Sequence, residues 1–135
     1  MYMKFNRKLM PLVIAFLVLV INSCSTIKRT ESENGTYTCE IKKTNLFHDP
    51  VIYGSLSETG DSVYRIPSGA VKVDLKDIYR TDNEGNFSFH IKPGKHRFRG
   101  LQINYRQVET KPINTSKGDS IKLTFKLNVN NIPLN

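Results

Sequence analysis

Tryptophan is absent from these 135 residues, and cysteine occurs only twice, at Cys24 and Cys39. Two thiols allow at most one disulfide, so the chain is not a disulfide-built scaffold. The three histidines, His48, His90 and His96, are too few and too scattered for a zinc site of about four converging ligands. No Gly-x-Ser-x-Gly, no His-Glu-x-x-His and no usefully spaced pair of carboxylates occurs. Helical periodicity is missing as well. The one long apolar run, Leu9 to Ile21, makes about 20 Å of helix at 1.5 Å per residue, short of a bilayer core of about 30 Å.

That run has the length of a signal-peptide core. Before it stand Lys4, Arg7 and Lys8 with no acidic residue, and after it Ile21-Asn22-Ser23-Cys24. The pattern resembles the lipobox read by lipoprotein signal peptidase: an aliphatic residue, a small residue next to the cut, then cysteine. Asn22 is a less usual occupant of the middle position. The resemblance implies that residues 1–23 are a cleaved lipoprotein signal peptide. It also implies that Cys24 carries diacylglycerol on its sulfur, usually with an N-acyl chain, anchoring the protein to a membrane. One acyl chain holds weakly, two or three hold stably. Ser25 follows Cys24 where an acidic residue often signals retention in the inner membrane. The run Ser25-Thr26-Ile27-Lys28-Arg29 also lacks the acidic residues of surface-exported lipoproteins. By analogy this places the protein in the cell envelope, on the periplasmic side of the outer membrane.

Without Lys4, Arg7 and Lys8, 17 of the 20 basic residues face 12 acidic ones, a net +5. The excess favours anionic lipid or polysaccharide surfaces, and export argues against nucleic acid. If Cys24 is acylated, Cys39 is the remaining thiol. It alternates with Tyr37 and Ile41, which reads as a small buried core residue.

Residues 24–35 are polar and without apolar period, so they read as the lipidated N-terminus and a flexible tether. From Thr36 the period is 2. Candidate strands are Tyr37–Lys42, Val51–Leu56, Val71–Leu75, Asn86–Ile91, Lys95–Arg99, Ile103–Thr110 and Ser120–Leu127, separated by turn-forming clusters. Residues 36–130 are thus expected to form an all-β, seven-stranded antiparallel β-sandwich, with residues 131–135 as a tail. Phe87, Phe89 and Ile91 alternate with Ser88, His90 and Lys92. Ile121, Leu123, Phe125 and Leu127 alternate with Lys122, Thr124 and Lys126. One apolar and one wet face per strand is what two packed sheets require.

Several segments have a recognisable order: Tyr53-Gly54-Ser55-Leu56, Pro67-Ser68-Gly69-Ala70-Val71, Thr81-Asp82-Asn83-Glu84-Gly85-Asn86-Phe87, Lys92-Pro93-Gly94 and Gly118-Asp119-Ser120-Ile121. They resemble the carboxypeptidase regulatory-like domain, a transthyretin-like, Greek-key β-sandwich common in the envelopes of Bacteroidota. The resemblance implies a mostly non-catalytic module, found alone or attached to peptidases and receptors. Where that family often has Gly before an aromatic residue, this chain has Asn104, which tolerates left-handed geometry. Ser57 to Ile66 is longer than the usual first connection. The Tyr-Arg-Gly-Ser ending of transthyretin-like hydrolases is absent.

Asp82 to Asn86 superficially looks like a calcium loop, but Gly85 falls at position 4 instead of 6. A structural turn is expected, with Asp82 accepting amides across it and Gly85 at positive φ. Pro93-Gly94 suits a tight hairpin. Such a hairpin pairs Ile91 with His96 and His90 with Arg97, putting the two histidines on opposite faces. His96 then reads as a core-edge residue. A Lys–Asn isopeptide is disfavoured because Asn128 should face outward. Neither metal nor cofactor is expected.

The same hairpin gathers Lys92, Lys95, Arg97 and Arg99 around His90, either as an anion- or partner-binding patch or as a solvated face that deters edge pairing. The reading is a non-catalytic interaction or accessory module with a protein or glycan partner in the envelope. The alternatives are a carbohydrate-binding module, for which Tyr53, Tyr64, Tyr79 and Tyr105 are available, and an enzyme of unrecognised type. Cys24→Ala should leave an unprocessed, larger precursor in the membrane fraction. Mass spectrometry of the wild type should find an acylated Cys24 as its first residue, and an intact Met1 would refute the assignment.

Overall fold

The computed structural model describes residues 26–60 and 64–131. Met1–Cys24 and Ser25 lie outside the described residues, as do positions 61–63 and 132–135. The described residues are all-β. Five strands form one sheet in the spatial order β1 (Thr26–Ser32), β2 (Gly35–Lys43), β11 (Asp119–Leu127), β3 (Val51–Glu58) and β6 (Asn86–His90). Four form a second, in the order β5 (Asp77–Arg80), β4 (Ala70–Val73), β8 (Phe98–Leu101) and β9 (Val108–Glu109). A two-stranded ribbon joins β7 (Gly94–His96) to β10 (Ile113–Thr115).

β2, β6 and β11 obey the two-residue period of their sequence, whereas β3 buries Ser55, Leu56 and Ser57 in succession. Along β11, Ile121, Leu123, Phe125 and Leu127 are fully buried, while Lys122 and Lys126 are exposed. Tyr37 and Cys39 on β2, and Phe87 and Phe89 on β6, are buried as the alternation predicts. Val71, Val73, Phe98 and Val108 of the second sheet belong to the same core cluster. Tyr79 of β5 stacks on Phe89 of β6 with ring centroids 3.8 Å apart. A Cβ on Gly100 of β8 would meet the Phe125 ring at 2.8 Å, so glycine is what lets β8 lie this close to β11. Two sheets sharing one core are consistent with a β-sandwich. Each fully buried Leu, Ile or Phe contributes about 1.5–3 kcal/mol.

Five expectations are corrected. Among the described residues the strands number eleven, and the five-stranded sheet is mixed, because β11 runs antiparallel to β2 and parallel to β3. β11 enters between its neighbours after the chain has crossed the second sheet, so no hairpin dictates its direction. The expected tether is β1, which pairs with β2 from Thr26↔Ile41 to Ser32↔Gly35 around Glu33-Asn34. Polar composition hid it, although an edge strand needs backbone partners more than apolar side chains. The strand expected at Lys95–Arg99 is split at Arg97, where the chain passes from the ribbon to β8. The strand expected at Ile103–Thr110 shrinks to β9, because Asn104 takes φ 68° in a turn and Ile103 is 80% exposed.

The fifth concerns β4, which stops at Val73 because Asp74 and Leu75 both take positive φ, 49° and 62°. The Lys76 amide closes this turn on the Val73 carbonyl at 2.9 Å, a type I′ arrangement. Its sequence carries no glycine to announce it. The turn at Asp82 does match expectation: its Oδ1 accepts the amides of Glu84 at 2.9 Å and Asn86 at 2.8 Å, and Gly85 has φ +76°.

Phe89→Ala should destabilise the domain by about 3–5 kcal/mol, since it removes a core ring and the Tyr79 stack together. Denaturant unfolding monitored by circular dichroism measures it; a loss below about 1 kcal/mol would contradict the packing.

Candidate functional site

The hairpin that was to assemble the basic patch does not form. β6 pairs with β3, placing His90 opposite Val51, while Lys95 on β7 pairs with Asn114 and His96 with Ile113. Neither the Ile91–His96 nor the His90–Arg97 pairing exists. The chain instead crosses between sheets at Ile91-Lys92-Pro93, so Pro93 and Gly94 lead into the ribbon. The five residues are therefore distributed: His90 and Lys92 at the end of one sheet, Lys95 on the ribbon, and Arg97 and Arg99 on the outer face of the second sheet.

Arg97 and Arg99 also share one carboxylate, which cancels part of their charge. Glu109 on β9 stands opposite Arg99. Its Oε2 accepts from Arg99 Nη2 at 2.6 Å and Nε at 3.1 Å, and its Oε1 accepts from Arg97 Nη1 at 3.3 Å. The hydrogen bond from Arg99, followed by the arginine charges, outweighs partial burial and holds the Glu109 carboxyl below its ordinary range. A shelf of about 440 Å³ lies here between Lys72, Asp74, Leu75, Arg97, Arg99 and Glu109. The sequence reading placed Glu109 in the strand expected at Ile103–Thr110 but missed its role, because nothing in the sequence showed that this strand pairs beside Arg99.

His96 bridges two acceptors. Its Nδ1 lies 2.6 Å from Asp74 Oδ2 and its Nε2 lies 2.8 Å from the Lys92 carbonyl. Asp74 Oδ1 takes the Arg97 amide at 2.8 Å. Partial burial raises the Asp74 carboxyl, but the Arg97 amide, the His96 hydrogen bond and the charges of His96 and Lys76 outweigh it, so the net shift is downward. This latch fastens the β4–β5 turn at its strained residue, and it joins that turn to the chain crossing between sheets. It is a structural clasp at the core edge, close to the role expected for His96.

A concavity of about 670 Å³ lies between β1 and the segment leading into β10. Tyr37, Cys39 and Ile41 form its floor, with Lys28, Arg29, Lys111 and Pro112 among its walls. The Tyr37 hydroxyl accepts the Lys111 amide at 3.0 Å, pinning that wall. Cys39 is 4% exposed, and burial pushes its thiol up to about 11 despite the opposing charge of Lys28. It is a neutral core thiol at neutral pH. A second, shallower surface lies on the outer face of the five-stranded sheet. There Tyr53, Ser55, Ser88 and Lys122 adjoin Arg65 and Asn86, which continue to Tyr64, Asn83 and Glu84. Tyr79 and Tyr105 are committed elsewhere, Tyr79 to its stack on Phe89 and Tyr105 to a 2.9 Å bond to Glu58.

Neither a family model nor a curated protein matches this sequence. The chemistry of its surfaces therefore stands on the geometry alone.

The Asp74 latch has a pH signature. A carboxyl whose folded value is depressed adds stability that is present above its unfolded value of 3.8 and is lost as pH falls through the folded value. Asp74→Asn should lower stability at pH 7, and the gap to wild type should close below about pH 4. Equal gaps at pH 7 and pH 3 in chemical denaturation would show that the charge of Asp74 contributes nothing.

Proposed function

We propose that the chain is a non-catalytic lipoprotein of the cell envelope, anchored through Cys24 on the periplasmic side of the outer membrane, and that its β-domain is an interaction module. The observation that carries this reading is the placement of β1. The processing signature ends at Cys24, and two residues later the chain is already paired, Thr26 with Ile41. A lipid on Cys24 would thus hold a folded domain directly at the bilayer and present its far surfaces to partners at high effective concentration. The module reading also draws on the order of segments resembling the carboxypeptidase regulatory-like, transthyretin-like domain. The groove floored by Tyr37 and Ile41 and rimmed by Lys28 and Lys111 supplies a mixed apolar and cationic surface for a protein partner.

A second reading, a carbohydrate-binding module, draws on the Tyr53–Tyr64 surface. There an accessible aromatic residue at either end flanks Asn83, Asn86 and Arg65. Aromatic faces and amide groups are what a sugar ring needs for stacking and hydrogen bonding.

Affinity capture with the intact acylated protein from its own envelope distinguishes the two. The module reading expects a discrete protein partner whose capture falls with Lys28→Glu/Lys111→Glu and is unaffected by Tyr53→Ala/Tyr64→Ala. Salt-insensitive glycan binding abolished by the tyrosine substitutions would replace it. Protease treatment of intact cells should leave the domain whole; its digestion would put it on the cell surface.

A further inference from the structure

The loop between β2 and β3 displays side chains that a soluble surface usually hides. Phe47 is 92% exposed and its neighbour Leu46 is 63% exposed. The loop beneath them is fastened. The Thr44 amide and hydroxyl both donate to the Gly118 carbonyl, at 3.0 and 2.7 Å, and the Gly118 amide donates to the His48 carbonyl at 2.9 Å. Gly118 has φ +81°, and a Cβ there would stand 2.5 Å from the carbonyl oxygens of both Thr44 and Leu46. The loop is thus wrapped around a glycine, and its two apolar side chains project from a fixed base.

The register decides which end of the molecule this is. Thr26 pairs with Ile41, Lys43 with Asp119, Ser120 with Val51, and Val51 with His90. The start of β1, the Leu46–Phe47 loop and the turn before β11 therefore share one end of the sheet. Lys42, Lys43 and Lys117 are exposed there. Of the nearby acids, Asp119 is buried, bonded to the Ser116 amide at 2.8 Å and to Lys43 at 3.5 Å, which leaves Asp49 exposed. Apolar side chains ringed by lysines are what a protein presents to the headgroup boundary of an anionic bilayer. The apolar groups enter it, and the ammonium groups stay at the phosphates.

We propose that this end of the domain is a membrane-contact face, with Leu46 and Phe47 entering the headgroup layer of an anionic bilayer. The inference rests on the Cys24 anchor proposed above. Two residues of extended chain span at most about 7 Å, so a lipid on Cys24 holds this end, and no other, against the membrane. The loop and its lysines then orient the anchored domain.

Because the chain has no tryptophan, Phe47→Trp places a single indole on the loop of the full-length protein. Ile103→Trp places one at the opposite end, where Tyr105 bridges Val129, beyond the last residue of β11. Each protein, purified after processing, is reconstituted into vesicles of phosphatidylethanolamine and phosphatidylglycerol, with or without brominated acyl chains. The Phe47→Trp emission should shift to shorter wavelength, be quenched by bromine and resist aqueous iodide. The Ile103→Trp emission should do none of these. Adding Lys42→Glu and Lys117→Glu, or replacing phosphatidylglycerol with phosphatidylcholine, should reduce the bromine quenching. Mass spectrometry of the same samples reads Cys24 acylation separately. Acylated protein whose Phe47→Trp indole stays open to iodide overturns the contact face and leaves the anchor. Unacylated protein whose indole is still quenched on adding vesicles overturns the anchor and leaves the contact face. Equal burial of both indoles, or quenching indifferent to lipid charge, also overturns the proposal.

Discussion

β11 is the strand on which the rest of the molecule depends. It binds β2 along one edge and β3 along the other, and it sends Ile121, Leu123, Phe125 and Leu127 into the core with no exposure at all. A nine-residue strand paired on both sides satisfies its own backbone, and it needs partners only for one face. Those partners come from the second sheet, where Gly100 allows β8 to approach the Phe125 ring. The order β1-β2-β11-β3-β6 means that the last strand of the chain holds apart, and also joins, the earlier strands β2 and β3. The five-stranded sheet therefore closes only when residues far apart in sequence meet, a topology whose loop-closure cost falls early in folding.

Where side chains alternate cleanly, this architecture was legible from composition alone. β2, β6 and β11 lie close to their expected positions because one face of each is buried, and period 2 then writes itself into the sequence. Asp82 and Gly85 were legible for a different reason: an Asx turn and a left-handed glycine are local chemistry. The failures are also physical. Asp74 and Leu75 turn the chain without glycine, and the strain is offset by the hydrogen bonds Asp74 makes to Arg97 and His96, more than twenty residues away. Pro93-Gly94 had the right residues for a hairpin, but pairing is a competition for edges. β3 took β6, and β10 took β7.

The same competition dissolved the expected basic patch. Charge clusters read along a sequence assume that neighbours in the chain remain neighbours in space. Glu109, ten residues beyond Arg99, crosses back beside it and takes two guanidinium nitrogens. Exposed ion pairs of this kind contribute little to stability, about 0–1 kcal/mol. Their consequence is electrostatic: Glu109 cancels part of the positive charge on the face that was to attract anions. The cations not drawn into that cluster include Lys92, Lys95 and those around the β2–β3 loop.

β1 then changes what an anchor could do. Eleven flexible residues would let a domain tumble above a bilayer, so that no face of it is privileged. Seven of those residues are instead a strand paired to β2, which would leave only Ser25 between Thr26 and an anchor at Cys24. An anchor that close would convert a lipid from a tether into a hinge pin, because the end of the sheet bearing Thr26 could not turn away. The opposite end would then be constrained to face outward. Tyr64 bonds there to Glu58, the last residue of β3, through a 2.8 Å backbone contact, next to Asn83 and Glu84 of the Asx turn. An acylated Cys24 would thus assign one pole of the domain to lipid and the other to whatever the envelope brings. The single pairing of Thr26 with Ile41 is what makes that division geometric.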